Sequence, residues 1–308
     1  MTIISTLRKL STWINKTISV TNYFASRSEW RCLLMDMNEN GFINLSNNLA
    51  ECKISPWGAN IVSYRPGKER QDIFWLGEFN KFDRIHAIRG GIPVCWPRFA
   101  EEALNSHFPR HGFARLSNWD LKNVSVDESR IEAAFSLVPD AKFGIDVSAA
   151  FFIKITDVLE CCLETVNNGG ETFRFSEALH AYFNIGSIDE VELRGLSGHQ
   201  YRSSLDGKTY DLEQNLKIGG EFDAAFINHT GTVEIVDPVL KRIISVEKSG
   251  SNTTVVWNPN KDLAEMSPGQ YKKFICVEPA NQGDSFISLK PKEKHKISMK
   301  VSVKSLGL

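Results

Sequence analysis

Three segments of this 308-residue chain concentrate side chains that can move protons or hold anions. The densest is 84–115, RIHAIRGGIPVCWPRFAEEALNSHFPRHGFAR, with five Arg and three His in a stretch poor in strand signals. Long connections inside compact domains are usually functional. Gly90 and Gly91 permit a tight turn or a close backbone approach to a ligand, and Pro93 and Pro97 stiffen the chain beyond them. In SEALHAYF, His180 stands at a strand end among apolar neighbours, as either a satisfied core residue or a functional one. In KKFICVEPAN, Glu278 stands at the end of an apolar strand, just before a proline turn. A carboxylate entering a buried run costs free energy unless it is paired or functional.

The elements that must position these residues are strands. The segment 42–48 precedes CKISPWGANIVSY, read as strand, Pro-Trp-Gly turn and strand. DIFWL at 72–76 is short, aromatic and β-prone. From 119 to 166 the apolar residues alternate or run together between polar breaks, and Asn-Asn-Gly-Gly at 167–170 predicts a hairpin connection. Further strands are predicted at 172–176, 190–194, 232–236, 241–247, 253–257, 273–278 and 296–303. A helical period is confined to the N-terminus, where Ile4, Leu7, Leu10 and Ile14 share one side, and to 260–266. Many short strands without alternating long helices predict an all-β chain, a large antiparallel sandwich with a few short helices. Residues 1–40 are expected to be an N-terminal extension, helical in part, and 41–308 a single domain.

Composition narrows the partners. Lys plus Arg number 36 and Asp plus Glu 37, a net charge of -1, which argues against a nucleic-acid binder driven by phosphate contacts. The chain is 42% hydrophobic and 24% charged, ordinary for a globular protein. No apolar stretch approaches the roughly 20 residues needed to span a bilayer, and no secretory signal is evident. Absence of Asp and Glu from the first 20 residues leaves a mitochondrial presequence as the minority reading against a cytoplasmic protein. Cys32, Cys52, Cys95, Cys161, Cys162 and Cys276 form no CxxC pair, so buried thiols are expected instead of a zinc site or disulfides. Cys161 and Cys162 should face opposite sides of a strand.

RGGIPVCWP, PRHGFAR, ALHAYFNIG, WNP and YKKFICVEPA occur in this order, and together they resemble the D-hexose-6-phosphate mutarotases of the aldose 1-epimerase superfamily. The resemblance runs from about 42 to 303. It implies a galactose-mutarotase-like supersandwich active without metal or organic cofactor. It further implies His180 as general acid and Glu278 as general base, with His111 the second active-site histidine. Arg89, and Arg65 of VSYRP, are implied contacts of the phosphate, Arg115 at the end of the HGFAR motif is expected to bind substrate, and Asp223 is implied to bind sugar hydroxyls. Trp96 is either a stacking surface for the sugar or a core tryptophan. The expected partner is a small hexose 6-phosphate, and the expected state a monomer.

The chain departs from the family pattern in places. CWPRFA replaces the usual CWPWFG, so Arg98 stands for an aromatic and Ala100 for a glycine. Arg98 is expected at solvent or in a local ion pair. Arg110 stands where a small or polar residue is common. Ser203 takes the place of a ligand-contacting acid, so either Asp206, three residues on, serves instead or one contact is lost. The competing readings are a mutarotase for free aldoses and a sugar-phosphate binder without catalysis. A carbohydrate-processing accessory domain of similar fold would more naturally belong to a larger chain.

Overall fold

The computed structural model describes residues 34–37, 41–67, 71–100 and 104–307. The expected helix near the N-terminus lies outside these residues. Strand pairing begins inside the expected extension, because Leu34–Met37 runs antiparallel to Ile43–Ser46.

Two large antiparallel sheets form the body. A nine-stranded sheet runs in the order Leu216–Lys217, Glu192–Arg194, Val233–Asp237, Arg242–Ser249, Lys294–Ser305, Leu159–Asn167, Val147–Ile155, Ile131–Leu137, Asp120–Val126. An eight-stranded sheet runs Thr209–Leu212, His199–Ser203, Phe222–Ile227, Thr253–Asn258, Phe274–Asn281, Glu177–Leu179, Val94–Cys95, and Tyr182–Asn184 also pairs with Phe274–Asn281. A four-stranded sheet, from Leu34–Met37 to Asn60–Pro66, and a pair, Phe173–Phe175 with Ile287–Leu289, complete the set.

Period-two burial explains the core. In Ile131–Leu137 every second residue is buried, and the same alternation holds in Val147–Ile155 and Leu159–Asn167. Phe135, Phe151, Leu163, Ile297 and Met299 thereby share one inter-sheet core. Each such side chain contributes about 1.5–3 kcal/mol when fully removed from water. Cys161 is buried and Cys162 only partly so, as the alternation requires. Phe274–Asn281 is different, because all eight residues are buried. Ile275 and Val277 join the inter-sheet core, whereas Phe274 and Cys276 pack on the other face with Trp75, Tyr182 and Met266.

Three local expectations fail, the first at 72–76, which makes only isolated bridges, Phe74 with Phe183 and Leu76 with Gly90, and no strand. Asn167–Gly170 is a turn but not a hairpin connection, since Leu159–Asn167 and Phe173–Phe175 lie in different sheets. The Asn167 amide is buried and donates to the carbonyls of Glu171 and Leu289, which turns the chain out of the large sheet. Residues 260–266 form turns and no helix. Pro259 and Pro268 bound the segment, Asn260 has φ 48°, and the Asp262 carboxylate accepts from Gly269 N.

Gly90 and Gly91 serve close approach, but to backbone and not to a ligand. A Cβ at Gly91, where φ is +69°, would sit 2.4 Å from the Ile61 carbonyl, and one at Gly90 2.4 Å from that of Trp75. The loop beyond Arg89 is thus clamped between the strand Asn60–Pro66 and the segment around Trp75.

Candidate active site

The strand Phe274–Asn281 has Thr253–Asn258 on one side and two short strands, Glu177–Leu179 and Tyr182–Asn184, on the other. Between those short strands the chain breaks. Ala181 N donates to Leu179 O across 2.9 Å, while His180 N donates to Pro93 O at 3.0 Å. The break sets His180 against Glu278: Nδ1 and Oε1 are 3.2 Å apart, and Glu278 is only 1% exposed. Neither His180 Nδ1 nor Glu278 Oε2 has a well-aligned hydrogen bond among the described residues. A buried carboxylate oxygen without a partner is costly, and Glu278 Oε2 marks a site built for something else to bind.

Aromatic rings enclose the imidazole. Tyr182 stacks on it at 4.9 Å with an 8° interplanar angle, and Trp257, His111 and Phe99 meet it edge-on at 5.8, 5.8 and 6.3 Å. His111 occupies a left-handed position, φ 62°, ahead of Gly112. Its Nδ1 lies 3.4 Å from the Ala100 N–H, which makes Nδ1 the acceptor and leaves the ring proton on Nε2. The Arg89 guanidinium donates from Nη1 to the Tyr182 hydroxyl at 3.1 Å and has Glu265 Oε2 3.4 Å from Nε. Arg115 donates to the Arg110 carbonyl at 3.1 Å, and its Nε is buried without a partner.

Burial and charge act together on these groups. Burial pushes the Glu278 carboxyl well above the carboxylate range, and Asp223 pushes the same way. Burial, then Arg115 and Arg89, hold His180 well below the usual imidazole range. His111 is lowered likewise, by burial first and then by Arg115. At 3.2 Å, His180 Nδ1 and Glu278 Oε1 are close enough to exchange a proton. Asp223 is raised by burial, against the pull of Ser204 and Arg110. His180, Cys276 and Glu278 bring nitrogen, sulfur and oxygen donors within 4.8 Å of one another. Burial holds the Cys276 thiol well above its ordinary value.

Comparison with known proteins bears on this geometry. The family model for aldose 1-epimerase matches residues 42–302. The chain belongs to the aldose 1-epimerase family. It is 32% identical over 247 residues to the Escherichia coli (strain K12) protein named "Putative glucose-6-phosphate 1-epimerase", covering 77% of this chain and 82% of that one. The crystal structure of a "putative mutarotase" from Salmonella typhimurium superposes with a TM-score of 0.79 at 26% identity, over 86% of this chain and 90% of that one. A galactose mutarotase-like protein from Lactobacillus casei shares the fold, with a TM-score of 0.68 at 18% identity, over 86% of this chain and all of the other. The described residues contain no helix long and apolar enough to cross a membrane.

Not every aldose 1-epimerase residue expected at the site is there. His180, Glu278, His111, Arg89 and Arg115 come together, and Asp223 pairs across the sheet with Trp257, beside Glu278. Trp96 cannot stack on a sugar: it is fully buried, edge-on to Phe113 and Phe175 in the core. Arg65 is on the four-stranded sheet, half-exposed, and its ion-pair partners are Asp72 at 3.5 Å and Glu51 at 4.0 Å, not Glu278. Arg98 turns inward to its own loop, donating to the carbonyls of Phe108 and Ser106. Asp206 does not replace the acid missing at Ser203, since it is exposed and accepts from the Tyr210 hydroxyl at 2.6 Å within its own hairpin. Sequence reasoning passed over Tyr182 and Glu265. The HAYF spacing was the available signal for Tyr182, because a residue two positions beyond His180 can return to the same face. Nothing local marks Glu265.

Proposed function

We propose that this enzyme interconverts the α and β anomers of hexose 6-phosphates, glucose 6-phosphate first among them, by opening and closing the pyranose ring. The observation that carries the reading is the buried His180–Glu278 pair, 3.2 Å apart, with the second carboxylate oxygen, Glu278 Oε2, buried and without a hydrogen-bond partner. The names of the relatives agree with it.

Glu278 is the base that takes the C1 hydroxyl proton. A carboxylate whose proton affinity is raised by burial is a stronger base than an ordinary one. His180 is the acid that protonates the ring oxygen as the C1–O bond breaks. Rotation about C1–C2 of the open-chain aldehyde presents its other face, and the same two groups close the ring in reversed roles. His111, with its proton on Nε2, donates to a sugar oxygen, and Asp223 accepts from a sugar hydroxyl. Arg89, Arg115 and Arg110 form the anion side of the site. Guanidinium groups suit a phosphate because they bind it with bidentate, charge-assisted hydrogen bonds.

NMR exchange spectroscopy on the anomers of glucose 6-phosphate tests this directly. The enzyme should accelerate exchange, and His180→Ala and Glu278→Ala should bind the sugar phosphate without exchanging it. Wild-type protein that binds but does not exchange would establish the non-catalytic alternative, and faster exchange of glucose than of its 6-phosphate would establish the free-aldose one.

A further inference from the structure

The chain segments that carry His180 and Glu278 are paired on either side of the two residues and not across them. Glu177 and Ala178 pair with Asn281 and Ala280, and Tyr182, Phe183 and Asn184 pair with Cys276, Ile275 and Phe274. In between, Pro279 has no N–H to give and His180 N is turned to Pro93 O. The register is the same on both sides of this gap, which sets His180 opposite Glu278. Their separation is therefore left to whatever fixes the two ends of the gap. One end has three paired residues, among them the buried Tyr182 stacked on His180, and the other has two.

That weaker end carries a buried polar cluster that the acid–base chemistry does not use. Glu177 stands three residues before His180 and Asn281 three after Glu278, so their side chains leave the opposite face, the one on which Leu179 and Ile275 join the inter-sheet core. There Asn281 Nδ2 donates to Glu177 Oε1 at 3.0 Å. His295 Nε2, from the strand Lys294–Ser305 of the nine-stranded sheet, lies 3.0 Å from the same oxygen. Asn281 Nδ2 also donates to Gly250 O at 2.8 Å. Glu177 is fully buried, and its Oε2 has no hydrogen-bond partner among the described residues. A buried carboxylate satisfied on one oxygen is a poor source of stability, because apolar residues of similar volume often serve as well or better. A buried polar contact is better suited to setting register. A slip of one residue would part Glu177 from Asn281 and turn His180 from the site into the core.

We propose that Glu177 is a positioning residue: tied to Asn281 and His295, it locks the short strand Glu177–Leu179 to both sheets and so holds the His180 imidazole at proton-transfer distance from Glu278. The proposal rests on the ring-opening reading of the site and deepens it by naming what sets its geometry. Arg89 is fixed elsewhere, by Tyr182 and Glu265, on a loop clamped against Asn60–Pro66. Loss of the Glu177 contact should therefore fall on kcat and spare KM.

The experiment is anomer exchange of glucose 6-phosphate by the full chain as wild type, Glu177→Met and Glu177→Gln, with thermal unfolding of each. Methionine is similar in length but offers the Asn281 amide no oxygen, whereas glutamine keeps one. Glu177→Met should lower kcat about 100-fold, the cost of displacing reacting groups by about 1 Å, with KM within about threefold of wild type. Its melting temperature should equal or exceed that of wild type. Glu177→Gln, which keeps the acceptor, should retain kcat within about fivefold. Where Glu177→Met fails to fold, Asn281→Leu removes the other end of the same hydrogen bond, and the same loss of kcat at unchanged KM is expected. With wild type exchanging glucose 6-phosphate rapidly, three results each overturn the proposal alone: an undiminished kcat in Glu177→Met, a loss borne by KM as much as by kcat, or a Glu177→Gln variant as impaired as Glu177→Met. Absence of exchange by wild type removes the ring-opening reading and the proposal with it.

Discussion

Glu278→Gln separates catalysis from stability in opposite directions. The amide keeps the size of the carboxylate in a position that is 1% exposed, so packing against Val255 and Cys276 should survive. The proton acceptor is lost. Positioned proton transfer contributes about 10²–10⁴-fold, so kcat should fall by that factor, equivalent to about 3–5 kcal/mol of barrier. Stability should move the other way. Burial raises the Glu278 carboxyl well above its ordinary value of 4.5, so the native state holds this proton more tightly than the unfolded chain does. The unfolded chain then releases the proton first as pH rises, and native stability falls above about pH 4.5. Glutamine removes that penalty. The variant should match wild type near pH 4 and be more stable by on the order of 1 kcal/mol near pH 7, a rise of about 2 °C in melting temperature. The assays are exchange spectroscopy on glucose 6-phosphate and thermal unfolding at the two pH values. Exchange within fivefold of wild type would refute the role of Glu278 as base. A uniform loss of stability at both pH values would refute the account of its burial.

Other expectations rest on the same geometry. Arg115→Ala should raise KM for glucose 6-phosphate about tenfold or more, by loss of a charge-assisted hydrogen bond, whereas Arg65→Ala, whose side chain lies beside Glu51 and Asp72, should leave KM within about twofold; steady-state kinetics on both variants decide the placement. Gly112→Ala should lower stability by about 2 kcal/mol or more and weaken exchange, because its Cβ would lie 2.0 Å from the Trp96 carbonyl at φ +71°, next to His111; chemical denaturation and exchange rates check this. His229 is buried, with Nε2–H donating to Gly195 O and Nδ1 accepting from Thr254, and burial lowers it to about 4. Its stabilisation is fully present above the unfolded imidazole value of 6.5 and is lost as pH falls toward 4, so His229→Gln should flatten the fall in melting temperature over that window.

Much of the architecture was legible because strands declare themselves by alternation. Ile131–Leu137 and Leu159–Asn167 bury every second residue, and that pattern is written in their apolar spacing. The two residues of the proposed acid–base pair stood out only singly: a histidine and a carboxylate in apolar strands are costly to bury, which left each open between core and function, and the family resemblance is what joined them. Local sequence could not tell which cations face that pair. Arg65, Arg89, Arg110 and Arg115 look alike along the chain. Only the sheet order decides that Arg65 meets Glu51 and Asp72 while the other three share the field of His180. Trp96 was equally undetermined, since a tryptophan beside a glycine loop suits a core or a sugar, and its burial between Phe113 and Phe175 comes from packing across sheets. The sequence by itself determined an all-β chain and the types of group at its candidate site. Tertiary structure alone decided their distances, and therefore their charges, because proton affinity depends on burial and on neighbours far away along the chain.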